Sequence, residues 1–101
     1  GVRAASKLEK ADPSWFGVPL VAFTPQLKEK LQAFLEFHRI QTRNYFAGNI
    51  LLHPGYKHLD NADNYPNANM ALSNVFFVGC PPHYGEEVFA YYENVLSKWV
   101  G

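Results

Sequence analysis

The chain has one cysteine, one methionine and no surplus of charge: nine Lys and Arg stand against nine Asp and Glu in 101 residues. Each shortage excludes something. Cys80 is alone, so there is no intrachain disulfide framework and no thiolate set for an iron–sulfur cluster, and a reducing compartment is expected rather than a secreted one. Balanced charge leaves no basic footprint for duplex nucleic acid and no polybasic surface for anionic lipid, so neither nucleic acid nor membrane is an expected partner. No apolar run reaches the ~20 residues that span a bilayer. The opening GVRAASKLEKAD lacks the apolar centre of a signal peptide. The cytoplasm is therefore the expected location. Gly48, Gly55, Gly79 and Gly85 are isolated, so no glycine-rich phosphate loop is present. There is no internal repeat and no low-complexity tract.

What the chain does have is apolar and aromatic residues. The length suits one domain, 48% of the residues are hydrophobic and 16% are aromatic. That excludes disorder, which needs low hydrophobicity and high net charge. A domain this small has little interior in which to hide eight Phe, six Tyr and two Trp. Some of these rings are expected on a surface that another domain or subunit covers.

Residues 1–12 show no clear period and read as a tail or linker, leaving 13–101 as the domain. SWFGVPLVAF, Ser14 to Phe23, is aromatic and β-branched and predicts a strand. Pro19 cannot donate to a ladder, which predicts an edge strand or one that stops near Leu20. Thr24 suits an N-cap and Pro25 the first helical position. Leu27, Leu31, Phe34, Leu35 and His38 then recur at helical spacing, with Lys28, Glu29, Lys30, Gln32 and Glu36 mainly on the wet side. Arg39 to Arg43 reads as a second strand. Asn44 to Asn74 holds seven of the eight Asn; a segment this long and irregular is functional or disordered, and its Leu, Ile, Phe and Tyr content predicts order. Short helical turns are expected in GNILLHPGY and NANMALSN. NVFFVGCPP, Asn74 to Pro82, has the continuous apolar run of a central strand. Val88, Tyr92, Val95 and Trp99 form the stripe of a last helix, with Glu86 and Glu87 at its positive end and Lys98 at its negative end. The order strand, helix, strand, loop, strand, helix predicts an α+β fold. It is a small, mainly antiparallel three-stranded sheet with both main helices on one face.

For chemistry, His53, His58, Asp60 and Asp63 share one loop, but their spacing matches no compact metal signature, and no metal site is expected. Cys80 reads as a small apolar residue ending a buried strand. IQTRNYFAGN, Ile40 to Asn49, is richer. Arg43 offers a planar fork for phosphate or carboxylate. Asn44 can adopt left-handed geometry and turn the chain. Gly48 permits close backbone approach. Tyr45 and Phe46 supply an apolar wall, and Asn44 and Asn49 can donate and accept. The set suits an anionic, hydroxyl-rich ligand. From spacing alone the better reading is an Arg paired with an acid beside turn-capping Asn residues.

DPSWFG, IQTRNYFAGN, HPGY and FFVGCPP, in this order and spacing, change that balance. From about Asp12 to the end the chain resembles the C-terminal domain of pyridoxal-phosphate-dependent sugar aminotransferases of the DegT/DnrJ/StrS type. Within them it is most similar to the dehydratase branch, which includes RfbH-like lipopolysaccharide biosynthesis proteins (CDP-4-keto-6-deoxyglucose 3-dehydrases). The resemblance implies the small C-terminal domain of the aspartate-aminotransferase (fold type I) architecture. It implies a homodimer, with pyridoxal or pyridoxamine phosphate held mainly by a large domain absent from these residues and none bound by this piece alone. The residue acting on the cofactor, Lys in the transaminases and His in the dehydratases, would lie in that large domain, so no catalytic residue is expected here. The resemblance further implies that the cofactor ring would serve as electron sink while the sugar C3 hydroxyl leaves. This domain would contribute Arg43, Asn44, Tyr45, Asn49 and, more peripherally, His53 to a nucleotide-sugar pocket for deoxysugar and O-antigen synthesis. The piece alone would be inactive. A sugar-nucleotide aminotransferase and a stand-alone non-enzymatic interaction module are the alternatives.

Overall fold

A computed structural model describes residues 1–100. Strands β1 (Val2–Ala4), β2 (Gly17–Ala22), β3 (Thr42–Asn44) and β4 (Val75–Gly79) and helices α1 (Pro25–Phe37), α2 (Pro66–Asn74) and α3 (Glu86–Ser97) make an α+β fold. The sheet is antiparallel with order β1-β2-β4-β3. Since β2 and β3 are each antiparallel to β4, they run parallel to one another, and α1 is the crossover between them with β4 filling the slot. None of the helices is long and apolar enough to cross a membrane among the described residues.

The expected sheet had three strands and two helices; four strands and three α-helices are found. The fourth strand is β1, which pairs Val2 with Ala22 and Ala4 with Leu20. It lies in the stretch whose residues carry no period, because three residues with two of them exposed leave no pattern to read. β1 also removes β2 from the edge, which corrects the reading of Pro19. In an antiparallel pair the N–H and C=O of one residue point to the same neighbour. Pro19 accepts from the Ala5 N–H at 2.9 Å, so its missing N–H faces the β1 side, just beyond that strand's end. The β4 side of the ladder is left whole.

α1 begins as its sequence dictates: the Thr24 hydroxyl accepts from the Leu27 N–H at 3.1 Å, with Pro25 following. Its apolar stripe delivers Leu31 and Leu35 to the core, where they meet Ile40, Phe76, Val78 and Val95. Phe76 is completely buried, as a central strand requires. The alternation of β2 and β4 turns Val18, Leu20, Phe76 and Val78 to this face. α1 and α3 both pack here, on one side of the sheet. Lys28 departs from the wet side expected of it: it is buried, and its Nζ donates to the Leu72 carbonyl at 2.8 Å. That carbonyl belongs to the last turn of α2, where backbone acceptors have no helical partner.

The opposite face carries Pro19, Val21 and Phe77. The Phe46 ring stacks on Phe77 at 5.5 Å, and Phe16 meets Phe77 edge-on at 5.7 Å. Phe16 remains 66% and Phe46 63% exposed. Gly17 is required under these rings, since a Cβ there would fall 2.5 Å from Phe77 Cδ2.

Candidate ligand cleft

The end of α1 leads directly into β3. α1 closes through paired bonds, Arg39 N–H to Glu36 O at 3.0 Å and Ile40 N–H to Leu35 O at 2.9 Å. This is a Schellman ending, in which the residue between must be left-handed. That residue is Arg39, with φ of 64°, a conformation that costs a side-chain-bearing residue roughly 1–2 kcal/mol. The accompanying apolar contact is present, since Ile40 and Leu35 share the core.

β3 then starts against α1. Glu36 Oε1 accepts from the Thr42 N–H at 2.7 Å and from the Thr42 hydroxyl at 3.0 Å, while Gln32 Nε2 donates to Thr42 Oγ1 at 3.2 Å. With Thr42 held this way, alternation puts Arg43 opposite Phe77 in the register and on the aromatic face. Arg43 and Asn44 are exposed. They line a cavity of about 810 Å³ together with Arg39, Phe46, Tyr84 and Tyr91. Tyr91 donates its hydroxyl to the His38 carbonyl, tying α3 to the end of α1 and fixing that wall. Tyr84 meets Tyr92 edge-on at 6.3 Å, and burial, followed by the neighbouring Tyr84, pushes the Tyr92 phenol up. The chemistry available is two guanidinium forks, the amides of Gln41 and Asn44, and a ring wall.

The chain leaves β3 by a tight turn in which Phe46 N–H donates to Asn44 O at 2.7 Å and Gly48 N–H to Tyr45 O at 3.2 Å. The left-handed residue is Phe46, with φ of 53°, where Asn44 was expected; Asn44 stays extended in β3. Gly48, at φ of 66°, lies so close to α2 that a Cβ would fall 2.6 Å from Leu72 Cβ.

The other sequence-derived residues are distributed differently. Tyr45 meets Phe77 edge-on at 6.4 Å and, with Asn49, Leu59, Asp60 and Tyr65, lines a second cavity of about 580 Å³. Asn49 is 2% exposed. Its amide donates to Ala62 O at 3.2 Å and Asn69 Oδ1 at 2.7 Å, and its carbonyl accepts from the Leu51 N–H at 3.0 Å. His53 is exposed, with Nε2 3.3 Å from Ala47 O. Arg43, Asn44 and Tyr45 thus stand near one another at the end of β3, while Asn49 braces the loop from inside and His53 touches its backbone.

Asp60 anchors the far side of the second cavity. It accepts from the Asn61 N–H at 2.7 Å, the Tyr65 hydroxyl at 2.8 Å and Asn64 Nδ2 at 3.2 Å. These bonds, the Asn61 N–H foremost, hold its carboxyl below the usual carboxylate range, and the same carboxylate pushes the Tyr65 phenol up. Among the described residues no group of three or more His, Cys, Asp and Glu is placed to hold a metal ion. Arg39, Tyr84 and Tyr91 were not singled out in the sequence for this cleft. The signal available for Arg39 was the missing glycine after α1, at a position where a left-handed residue, usually glycine, commonly ends a helix.

Similarity to known proteins points in one direction. The chain is 31% identical over 94 residues to dTDP-4-dehydro-2,6-dideoxy-D-glucose 3-dehydratase of Saccharopolyspora spinosa, covering 89% of this chain and 20% of that protein. It is 29% identical over 102 residues to lipopolysaccharide biosynthesis protein RfbH of Salmonella typhimurium, covering 92% of this chain and 22% of that protein. The chain therefore spans about a fifth of the length of these curated relatives. A family model matches residues 2–95, and the chain belongs to the DegT/DnrJ/EryC1/StrS aminotransferase family.

Proposed function

We propose that this chain is the C-terminal part of a nucleotide-sugar 3-dehydratase of deoxysugar or O-antigen synthesis, contributing substrate-pocket residues to a site completed by the rest of the enzyme and a second subunit. The observation that carries this reading is the cleft at the end of β3. Arg43 is exposed there beside an aromatic sheet face with no cover among the described residues, and Asn44 follows it on the α1 side, where its Oδ1 accepts from Gln32 Nε2 at 3.5 Å. The curated relatives are about five times as long, which supports a partner surface in the missing length. Both bear on sugar biosynthesis by name, one as a 3-dehydratase and one as a lipopolysaccharide biosynthesis protein. That favours the dehydratase over the aminotransferase reading.

Pyridoxal or pyridoxamine phosphate is the cofactor of this proposal, and it supplies the electron sink when bound. The residues present do not by themselves fit it. Among the described residues no lysine lines the cleft, and the buried one, Lys28, has its ammonium on Leu72 O. This chain's part is to bind and orient the substrate. Arg43 grips an anionic group through its planar fork, Asn44 hydrogen-bonds a sugar hydroxyl, and Tyr45 with Phe46 closes the apolar side. Asn49 and His53 act by holding the loop. In the full-length enzyme, Arg43→Ala is expected to weaken nucleotide-sugar binding by about tenfold or more, the worth of a charge-assisted bond. Unchanged affinity and turnover would remove Arg43 from the site.

A further inference from the structure

We infer that Arg39 is a second anion-binding residue of the cleft, so that Arg39 and Arg43 together take a ligand with two adjacent phosphates. The inference rests on the reading of this cleft as a ligand pocket and adds to it a residue that the fold does not need. Arg39 and Phe46 are the two non-glycine residues with positive φ among the described residues, at 64° and 53°. Both line the same cavity as Arg43. Strained backbone of this kind gathers where ligands are handled.

Each strained residue could be replaced by glycine and still make its turn with less strain. What glycine would forfeit is the side chain. At Phe46 that is the ring stacked on Phe77, a wall of the cavity. At Arg39 it is a guanidinium on an exposed residue at the cavity's rim. Glu36, the acid three residues before it, has Oε1 occupied by the Thr42 N–H and hydroxyl. Among the described residues neither the Arg39 nor the Arg43 guanidinium donates a hydrogen bond to the protein. Two free planar forks on one cavity match two phosphates, since each fork takes one anionic group in bidentate fashion. The chain as a whole is neutral, so the attraction is local.

The test is titration of the full-length holoenzyme with inorganic pyrophosphate and with inorganic phosphate, followed by calorimetry and paired with thermal melts. Pyrophosphate is expected to bind more tightly than phosphate and to weaken as salt is raised. Arg39→Gly is expected to raise the melting temperature, by releasing the left-handed strain, and to weaken pyrophosphate by about tenfold, the worth of one charged contact. Arg39→Asn, which tolerates the same φ, should lose affinity equally, and Arg39→Lys should recover part of it. Arg43→Gln should weaken pyrophosphate as well. If Arg39→Gly and Arg39→Asn keep wild-type affinity while Arg43→Gln loses it, Arg39 has no such role and the pocket reading stands. If the wild-type holoenzyme shows no saturable pyrophosphate binding, or neither arginine matters to it, both are overturned.

Discussion

Gly48 and Phe46 sit two residues apart, and they divide what single residues reveal from what they conceal. Gly48 announces close approach, and its partner is Leu72 of α2. Gly48→Ala meets both the left-handed φ and a backbone-side clash, so it is expected to lower stability by roughly 1–3 kcal/mol, read from a denaturant midpoint at unchanged slope. Phe46 announces nothing. Asn is the residue type enriched at positive φ, yet the chain turns at Phe46, whose ring stacks on Phe77 in that conformation. A contact with a strand some thirty residues away cannot be read from local preference. The Asp60 cluster is similarly hidden and gives a pH prediction. Its folded carboxyl is lowered, so its bonds contribute above the ordinary carboxylate range and are lost as pH falls through the lowered folded value. Protection of the Asn61 amide against hydrogen exchange should fall over that window, and Asp60→Asn should abolish the dependence.

Among the elements, the legible ones are those with many residues per pattern. α1 carries a cap, a first-turn Pro and a stripe, and all three are found. β4 carries a continuous apolar run and lies between β2 and β3 as that run implies. The short helical turns foreseen in GNILLHPGY and NANMALSN appear as a single 3₁₀ turn at Ile50–Leu52 and as α2. β1 was illegible because it is set by pairing with β2 and not by its own side chains. The Asn richness of the long loop has its reason at this scale. Asn49 and Asn69 both donate to Ala62 O, Asn61 caps Asp63, and Asn74 donates to Ala22 O. Short amides substitute for the ladder bonds an irregular segment lacks. Lys28 adds the brace between α1 and α2, against a desolvation cost that lowers its ammonium's pKa. Lys28→Met keeps the stem but leaves Leu72 O unpaired. With relief of desolvation offsetting part of the lost charged bond, a net loss of about 1 kcal/mol is expected. In a domain of this size that is a melting temperature lower by about 4–8 °C.

The molecule as a whole has one sealed side and one open side. The core between sheet and helices is closed over Phe76, Leu35 and Val95. The aromatic excess visible in the composition lies largely elsewhere, with Phe16, Phe46 and Tyr45 at 66%, 63% and 38% exposure around Phe77. Scattered apolar residues are ordinary on a surface, but rings in mutual contact on a sheet face form a patch, and a patch of this kind marks a surface meant to be covered. On the proposed function, the fivefold greater length of the relatives gives that cover a source in a longer parent chain. A stand-alone interaction module would instead be a monodisperse monomer with little dye-accessible surface. The 101-residue chain is therefore expected to self-associate on size exclusion and to bind a hydrophobic dye, and Phe16→Ser with Phe46→Ser to reduce both. In the full-length enzyme the same pair should lower the melting temperature, because rings buried against another domain each lose on the order of 1.5–3 kcal/mol of burial. A wild-type chain that runs as a clean monomer without dye binding, and a full-length enzyme indifferent to the two serines, would mean that this face is finished as it stands.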